Sequence, residues 1–535
     1  MSNVVFDLKE TIRRKFLSDD DIIIFKKMYV DNENIFTQND KDTLLIVATK
    51  YNHFEIIKFM VENGARIATH GNFALLFSCQ KGYIDTIRYL LSVGGDINCK
   101  NGHLLIIACE YQHLNIIKYL LTENTNTYIN EACIYWTIKN NNYEILKILI
   151  DNGASITNAS FFVTVANDNI KMFKTLMEFG GDMDTSEILK ENVNKGAINI
   201  LKYVLNMNLD VEITEDLLSL AVKKGRLDVF NALLEYYDTN KSLDNVLQYS
   251  VKMGNVDFVE ILLLNGANIH HKNDYCLRYA CEHGDLKMAK LLIIAGADIN
   301  AREHYPLSKA IENQHFDIVK LLINTGANMS DCKALNIAAF HNYLHIFKYL
   351  IQKGYNVKTN DCESFKIAAE NGSYDIVKFL LSEPHIKINI HAEYDYALRK
   401  SAENGHIKIV KLLIKHGADI SALNNYAIMA AIENGHTKIA KGLIKYSIAK
   451  NNTEFILAAK YGHHDIVKYM IKKGYDVNVE DSGALRNAVY NGHKKVVKLL
   501  LNNGADISAN NFQALYFAKN KGYSNIYDML KSKQN

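Results

Sequence analysis

The stretch "HNYLH" places His341 and His345 four residues apart, the spacing at which two imidazoles on one helical face can share a metal ion. The glutamate of an HExxH site is missing and the stretch spans the break between two helices, so no metal is expected there. His53, His315, His406, His436, His463 and His493 follow a similar short break and read as structural residues of a recurring turn. The chain contains no GxxxxGK[ST] phosphate loop and no GxSxG elbow. Its eight cysteines form no CxxC pair, and Cys79, Cys109 and Cys281 each follow a small residue at one recurring place. They read as small buried apolar groups in a reducing compartment. No catalytic residue, cofactor or metal is expected, and the chain is not read as an enzyme.

The elements that carry these side chains come from a repeat. Gly64 and Gly94 are 30 residues apart, as are Gly266, Gly296 and Gly326 in turn, and Gly474 and Gly504. Gly153, Gly180, Gly354 and Gly417 continue the series, giving about 17 copies. In "FDIVKLLINTG" the polar residues Asp317, Lys320 and Asn324 form one stripe on an otherwise apolar helix, as stacking between neighbours requires. "PLSKAIEN" before it reads as a shorter helix with Leu307 and Ala310 facing inward, and Gly326 as its partner's left-handed stop. One unit buries too few side chains to fold alone, so the copies must stack.

With these motifs in place, "YPLSKAIENQH" resembles the ankyrin motif T-P-L-H-x-A-A-x-x-G-H, and "GADIN" the segment after its second helix. "SFKIAAENGSYDIVKFLL" and "ALRKSAENGHIKIVKLLIKHGADI" are similar as well. The resemblance implies an all-α ankyrin-repeat solenoid of about 17 short helix-turn-helix repeats. The usual ankyrin unit has 33 residues, and the missing three fall at the hairpin tip, so blunt hairpin loops are expected except around 385–393. Only Pro306 fits the Thr-Pro place, and Tyr stands for Thr at Tyr275, Tyr305, Tyr396 and Tyr426. The short repeats and the phrase "DYCLR"/"DYALR" resemble the ankyrin proteins of mimivirus-like giant viruses of amoebae.

Residues 1–40 are expected to form an N-terminal helical cap and 41–535 the repeat array, with a C-terminal cap at 511–535. The stretch 157–244 is the most degenerate, and a bend or hinge there competes with a merely divergent stack. The start "MSNVVFDLKE" gains charge too early for a secretory signal. No apolar run approaches the roughly 18 residues of a spanning helix. An intracellular, cytoplasmic protein is expected, in host cytoplasm if viral.

The resemblance implies a non-enzymatic protein–protein interaction module that binds a host or viral protein on its concave face. The exposed end of the first helix then holds Glu282, Glu312, Glu370, Glu403 and Glu433, near the four tyrosines. Repeated carboxylates favour a partner with a basic segment, and tyrosine gives contact area at low entropic cost. A structural or virion-associated scaffold and a ubiquitin-ligase substrate adaptor are the alternatives. The other face carries Lys408, Lys411, Lys415, Lys438, Lys441 and Lys445, with Lys468, Lys472, Lys495 and Lys498 beyond. It reads as a solvated ridge rather than a site for nucleic acid or anionic membrane. The near balance of 61 basic and 59 acidic residues agrees. A monomer is expected.

Overall fold

A computed structural model describes residues 2–15, 17–122, 128–207, 212–238, 240–327, 333–447 and 451–534. Among them there are 36 α-helices, one short 3-10 turn and no strand. After Ser2–Ile12 and Asp19–Val30, the helices run in seventeen consecutive pairs from Gln38–Tyr51 to Ser524–Gln534. No described helix is long and apolar enough to cross a membrane.

The chain divides into two compact units, Met1–Phe258 and Val259–Asn535. Inside each unit, first helices pack on the next first helix and second helices on the next second helix. Apolar residues at helical spacing explain the two layers. In the second unit Leu307, Ala310 and Ile311 of one first helix are buried, and so are Ile318, Val319 and Leu322 of its partner. In the first unit, Phe6, Ile23, Ile24 and Val30 of the two leading helices are exposed.

Five helices of the second unit carry the sites described below: α1 (Ala301–Glu312), α2 (Lys333–Phe340), α3 (Thr359–Glu370), α4 (Ile407–Lys415) and α5 (Thr437–Tyr446). All but α3 and α5 belong to repeats that close on the glycine signal seen in the sequence; those two end at Glu383 and Ser447. Gly326 has φ +100°, and the amide of Ala327 donates to the Leu322 carbonyl at 2.9 Å, ending its helix in a left-handed cap.

The connections into the first helices have a definite structure, shared by the 30-residue repeats and by the longer connection around 385–393. Such a first helix begins with three consecutive left-handed residues: Lys272, Asn273 and Asp274 (φ 51°, 57°, 54°), Arg302, Glu303 and His304 (φ 49°, 54°, 67°), or Glu393, Tyr394 and Asp395 (φ 48°, 57°, 56°). This compact turn takes the place of a projecting hairpin. Left-handed residues other than Gly cost roughly 1–2 kcal/mol each, so the turn needs support. Arg278 Nε donates to the Asn273 carbonyl and Nη2 to that of Lys272, both at 2.9 Å. Arg399 repeats the fork on Tyr394 (2.9 Å) and Glu393 (2.8 Å), and Arg486 on Asp481 (3.0 Å) and Glu480 (2.8 Å). Two charge-assisted bonds of roughly 1.5–3 kcal/mol each offset most of the backbone cost. Asp274 anchors the turn to the repeat that follows, accepting from the Asp298 amide at 2.9 Å, as Asp395 does from Asp419 at 2.8 Å.

Pro306 sits just after such a turn, in the first helical turn, where its missing N–H has no partner to lose.

Candidate functional site in the second unit

The end of each first helix is fixed by the inter-helix turn, and the turn is fixed by the neighbouring repeat. His315 Nε2 lies 3.0 Å from the Glu282 carbonyl, His406 Nε2 2.9 Å from that of Glu370, and His436 Nε2 2.9 Å from that of Glu403. A Cβ on Gly284 would meet the His315 ring at 2.6 Å, so this contact needs both the glycine and the histidine. The carboxylates just before the turn are thereby held in one row: Glu282, Glu312, Glu370, Glu403 and Glu433. The first four are partly exposed and Glu433 is exposed.

The tyrosines meet this row in pairs. Tyr305 donates to Glu282 at 3.1 Å, Tyr396 to Glu370 at 2.8 Å and Tyr426 to Glu403 at 3.2 Å. Burial, then the adjacent carboxylate, pushes the Tyr396 phenol up to about 12 and raises that of Tyr305. Lys309 and Lys400 reach Glu312 (2.6 Å) and Glu403 (3.0 Å), and those hydrogen bonds raise both ammonium groups. Arginines lie between consecutive rings. The Arg278 guanidinium is 5.6 Å from the Tyr275 ring centre and 5.3 Å from that of Tyr305; Arg399 is 5.7 Å from Tyr396 and 5.3 Å from Tyr426. Glu282, Glu370 and Glu403 are thus tied to neighbouring repeats. Tyr275 stacks on Tyr279, with ring centres 6.0 Å apart.

The row has one exception that the motif alone did not single out. In α2 the place held by glutamate in the other repeats from Glu282 to Glu433 belongs to Phe340, which is 53% exposed. The sequence signal was the phrase "LNIAAFHN" where its neighbours have "LSKAIENQ" and "FKIAAENG". Around Phe340 a cavity of about 620 Å³ opens between α1, α2 and α3, with Glu312 on one side, Glu370 on the other, and Ile337 and Ile367 in its wall. An adjoining hollow of about 330 Å³ shares Glu312, Asn336 and Ile337 and adds Tyr305 and Lys309. An aromatic and two isoleucines between two carboxylates can receive a chain that is both cationic and apolar.

His341 and His345 do not converge. His341 stacks on Tyr343 with ring centres 5.1 Å apart, and His345 meets the Phe316 ring edge-on at 5.1 Å. The seven described cysteines are buried, and burial raises the thiols of Cys79 and Cys281, Cys281 to about 12.

In the first unit a hollow of about 1020 Å³ is lined by Tyr135, Tyr143, Phe162 and three lysines. Two of these already sit over rings: Lys139 is 4.4 Å from the centre of the Trp136 ring, and Lys171 is 4.8 Å from that of Tyr143.

No curated protein matches the chain. A family model described as ankyrin repeats (3 copies) matches residues 18–101, 99–160, 161–273, 277–361, 365–454 and 455–535.

Proposed function

The chain belongs to the ankyrin-repeat family, and from that premise we propose that it is an interaction module whose second unit holds a basic, partly apolar segment of a host or viral protein. Ankyrin repeats generally bind protein partners and typically lack catalysis. The observation that carries the finer reading is the row itself: Glu312 and Glu370 flank Phe340 over a cavity of about 620 Å³. Lysine or arginine side chains would meet the carboxylates, and an aliphatic residue between them would cover Phe340 and Ile337. Glu282, Glu403 and Glu433 extend the same sign of charge to either side, and Tyr305, Tyr396 and Tyr426 stiffen the row, with Tyr275 at its end. A host or viral partner rests on the repeat phrasing alone.

Affinity purification from an amoebal lysate tests this reading. A Glu312→Lys/Phe340→Ser variant leaves the tyrosine-bound carboxylates intact, so its helical circular dichroism should match the wild type. Partners rich in basic segments should be lost from the variant. Identical partners on both proteins would refute the reading.

A further inference from the structure

On the second-helix layer, one position is bulky in repeat after repeat of the second unit: Leu291, Leu321, Tyr349, Phe379, Leu412, Tyr469 and Leu499. In α5 that position is Gly442. Glycine inside a helix destabilises it relative to any of those residues, and Val410 of α4 is matched in α5 only by Ala440. A Cβ built on Gly442 has no neighbour within 4 Å, so the space of the missing side chain stays open. The result is a cavity of about 670 Å³ between α4 and α5 with Val410, Ile414 and Leu443 in its walls. Tyr446, 58% exposed, stands at its edge.

The rim is uniformly basic. Lys411, Lys415, Lys438 and Lys445 line the cavity and all are exposed. None of the ion pairs formed by described residues involves them, although Lys445 lies over the Tyr446 ring at 5.6 Å. Four cations around an apolar notch are electrostatically unsatisfied, and the notch includes the space that one side chain would take at Gly442.

We propose that the α4–α5 groove is a second docking site, taking an acidic protein segment that seats one bulky apolar side chain over Gly442 between flanking carboxylates. It faces a different layer from the acidic row and has the opposite charge, so the two sites would select different partners. Charge complementarity identifies the occupant. The apolar notch identifies the anchor, which a partner with carboxylates alone would leave empty.

The test uses the full chain and a displayed library of random dodecapeptides. Two substitutions separate the notch from the helix around it. Gly442→Ala improves helix propensity and leaves the notch open, whereas Gly442→Leu restores the residue of the neighbouring repeats and fills it. The selected peptides should carry Asp or Glu around a bulky apolar residue. They should bind wild type and Gly442→Ala alike, and bind Gly442→Leu and Lys411→Gln/Lys438→Gln at least about tenfold more weakly. Selection of peptides without that pattern, or equal binding to Gly442→Leu, would overturn the proposal. So would failure to select any peptide, including the case where phosphatidylserine vesicles bind through the same lysines instead.

Discussion

The Tyr396 hydroxyl donates to the Glu370 carboxylate at 2.8 Å, joining one first helix to the next through the row that also forms the proposed binding surface. The carboxylate therefore acts in the stack as well as towards solvent. Tyr396→Phe should cost about 0.5–1.5 kcal/mol locally, and Glu370→Gln should cost less because an amide oxygen still accepts. Hydrogen exchange of helix Ala392–Glu403 in a double-mutant cycle measures the coupling. The Tyr396 phenol is raised in the fold, so its contribution is complete below about pH 10 and fades as pH rises towards about 12. Glu370→Gln should shift that titration downwards.

The left-handed turn at Glu393, Tyr394 and Asp395 depends on the Arg399 fork. Arg399→Lys keeps the charge and loses the two-pronged geometry, at an expected cost of about 1–3 kcal/mol. Tyr394 is 72% exposed with φ 57°, so Tyr394→Gly should be neutral or stabilising by up to about 1 kcal/mol. Thermal melts of the two variants should move in opposite senses, or only the first should move.

Glu454 is fully buried and bonded by Asn425 Nδ2 at 2.8 Å and the Tyr475 hydroxyl at 3.3 Å. Burial pushes its carboxyl up to about 7, against the pull of those hydrogen bonds. The folded value exceeds the unfolded one, so the group's contribution is complete below about pH 4.5 and is lost as pH rises through about 7. Glu454→Gln should remove that slope and gain on the order of 2–3 kcal/mol at pH 8 relative to wild type. Denaturant unfolding followed at pH 5 and pH 8 reads it.

Two glycines with similar backbones should respond differently. Gly284 and Gly296 have φ +81° and +99°, but a Cβ on Gly284 meets the His315 ring at 2.6 Å while one on Gly296 meets nothing within 4 Å. Gly296→Ala should cost about 1–2 kcal/mol, the left-handed penalty alone. Gly284→Ala adds a clash between repeats and should cost about 1–2 kcal/mol more. Hydrogen exchange in the helices on either side gives both values.

The helix pairs were legible because a 30-residue glycine period and a one-stripe polar pattern both report on stacking. The left-handed turns were not, because Arg302, Glu303 and His304 or Glu393, Tyr394 and Asp395 lack the Gly and Asn that usually mark positive φ. The sequence showed only that three residues were missing at the tip. The recurring "DYCLR" and "DYALR" phrases were visible, but Arg278 and Arg399 gained a role only when the fold brought their own turn carbonyls within reach. The glutamate row was legible from its spacing. Its ties to Tyr305, Tyr396 and Tyr426 were not, since each bond crosses from one repeat to the next. Phe340 interrupts the glutamates between Glu282 and Glu433, and Gly442 interrupts the bulky residues of the second helices; the meaning of each depends on the open space beside it.

If the row around Phe340 receives a basic segment, the methyl resonances of Ile337 and Ile367 in the cavity wall will report it. A synthetic peptide of alternating lysine and arginine with one central leucine would be titrated into the full chain. Saturable shifts are expected at Ile337 and Ile367, lost in Phe340→Ser and weakened by salt. Unmoved methyls at both positions, or shifts that persist unchanged in Phe340→Ser, would contradict it.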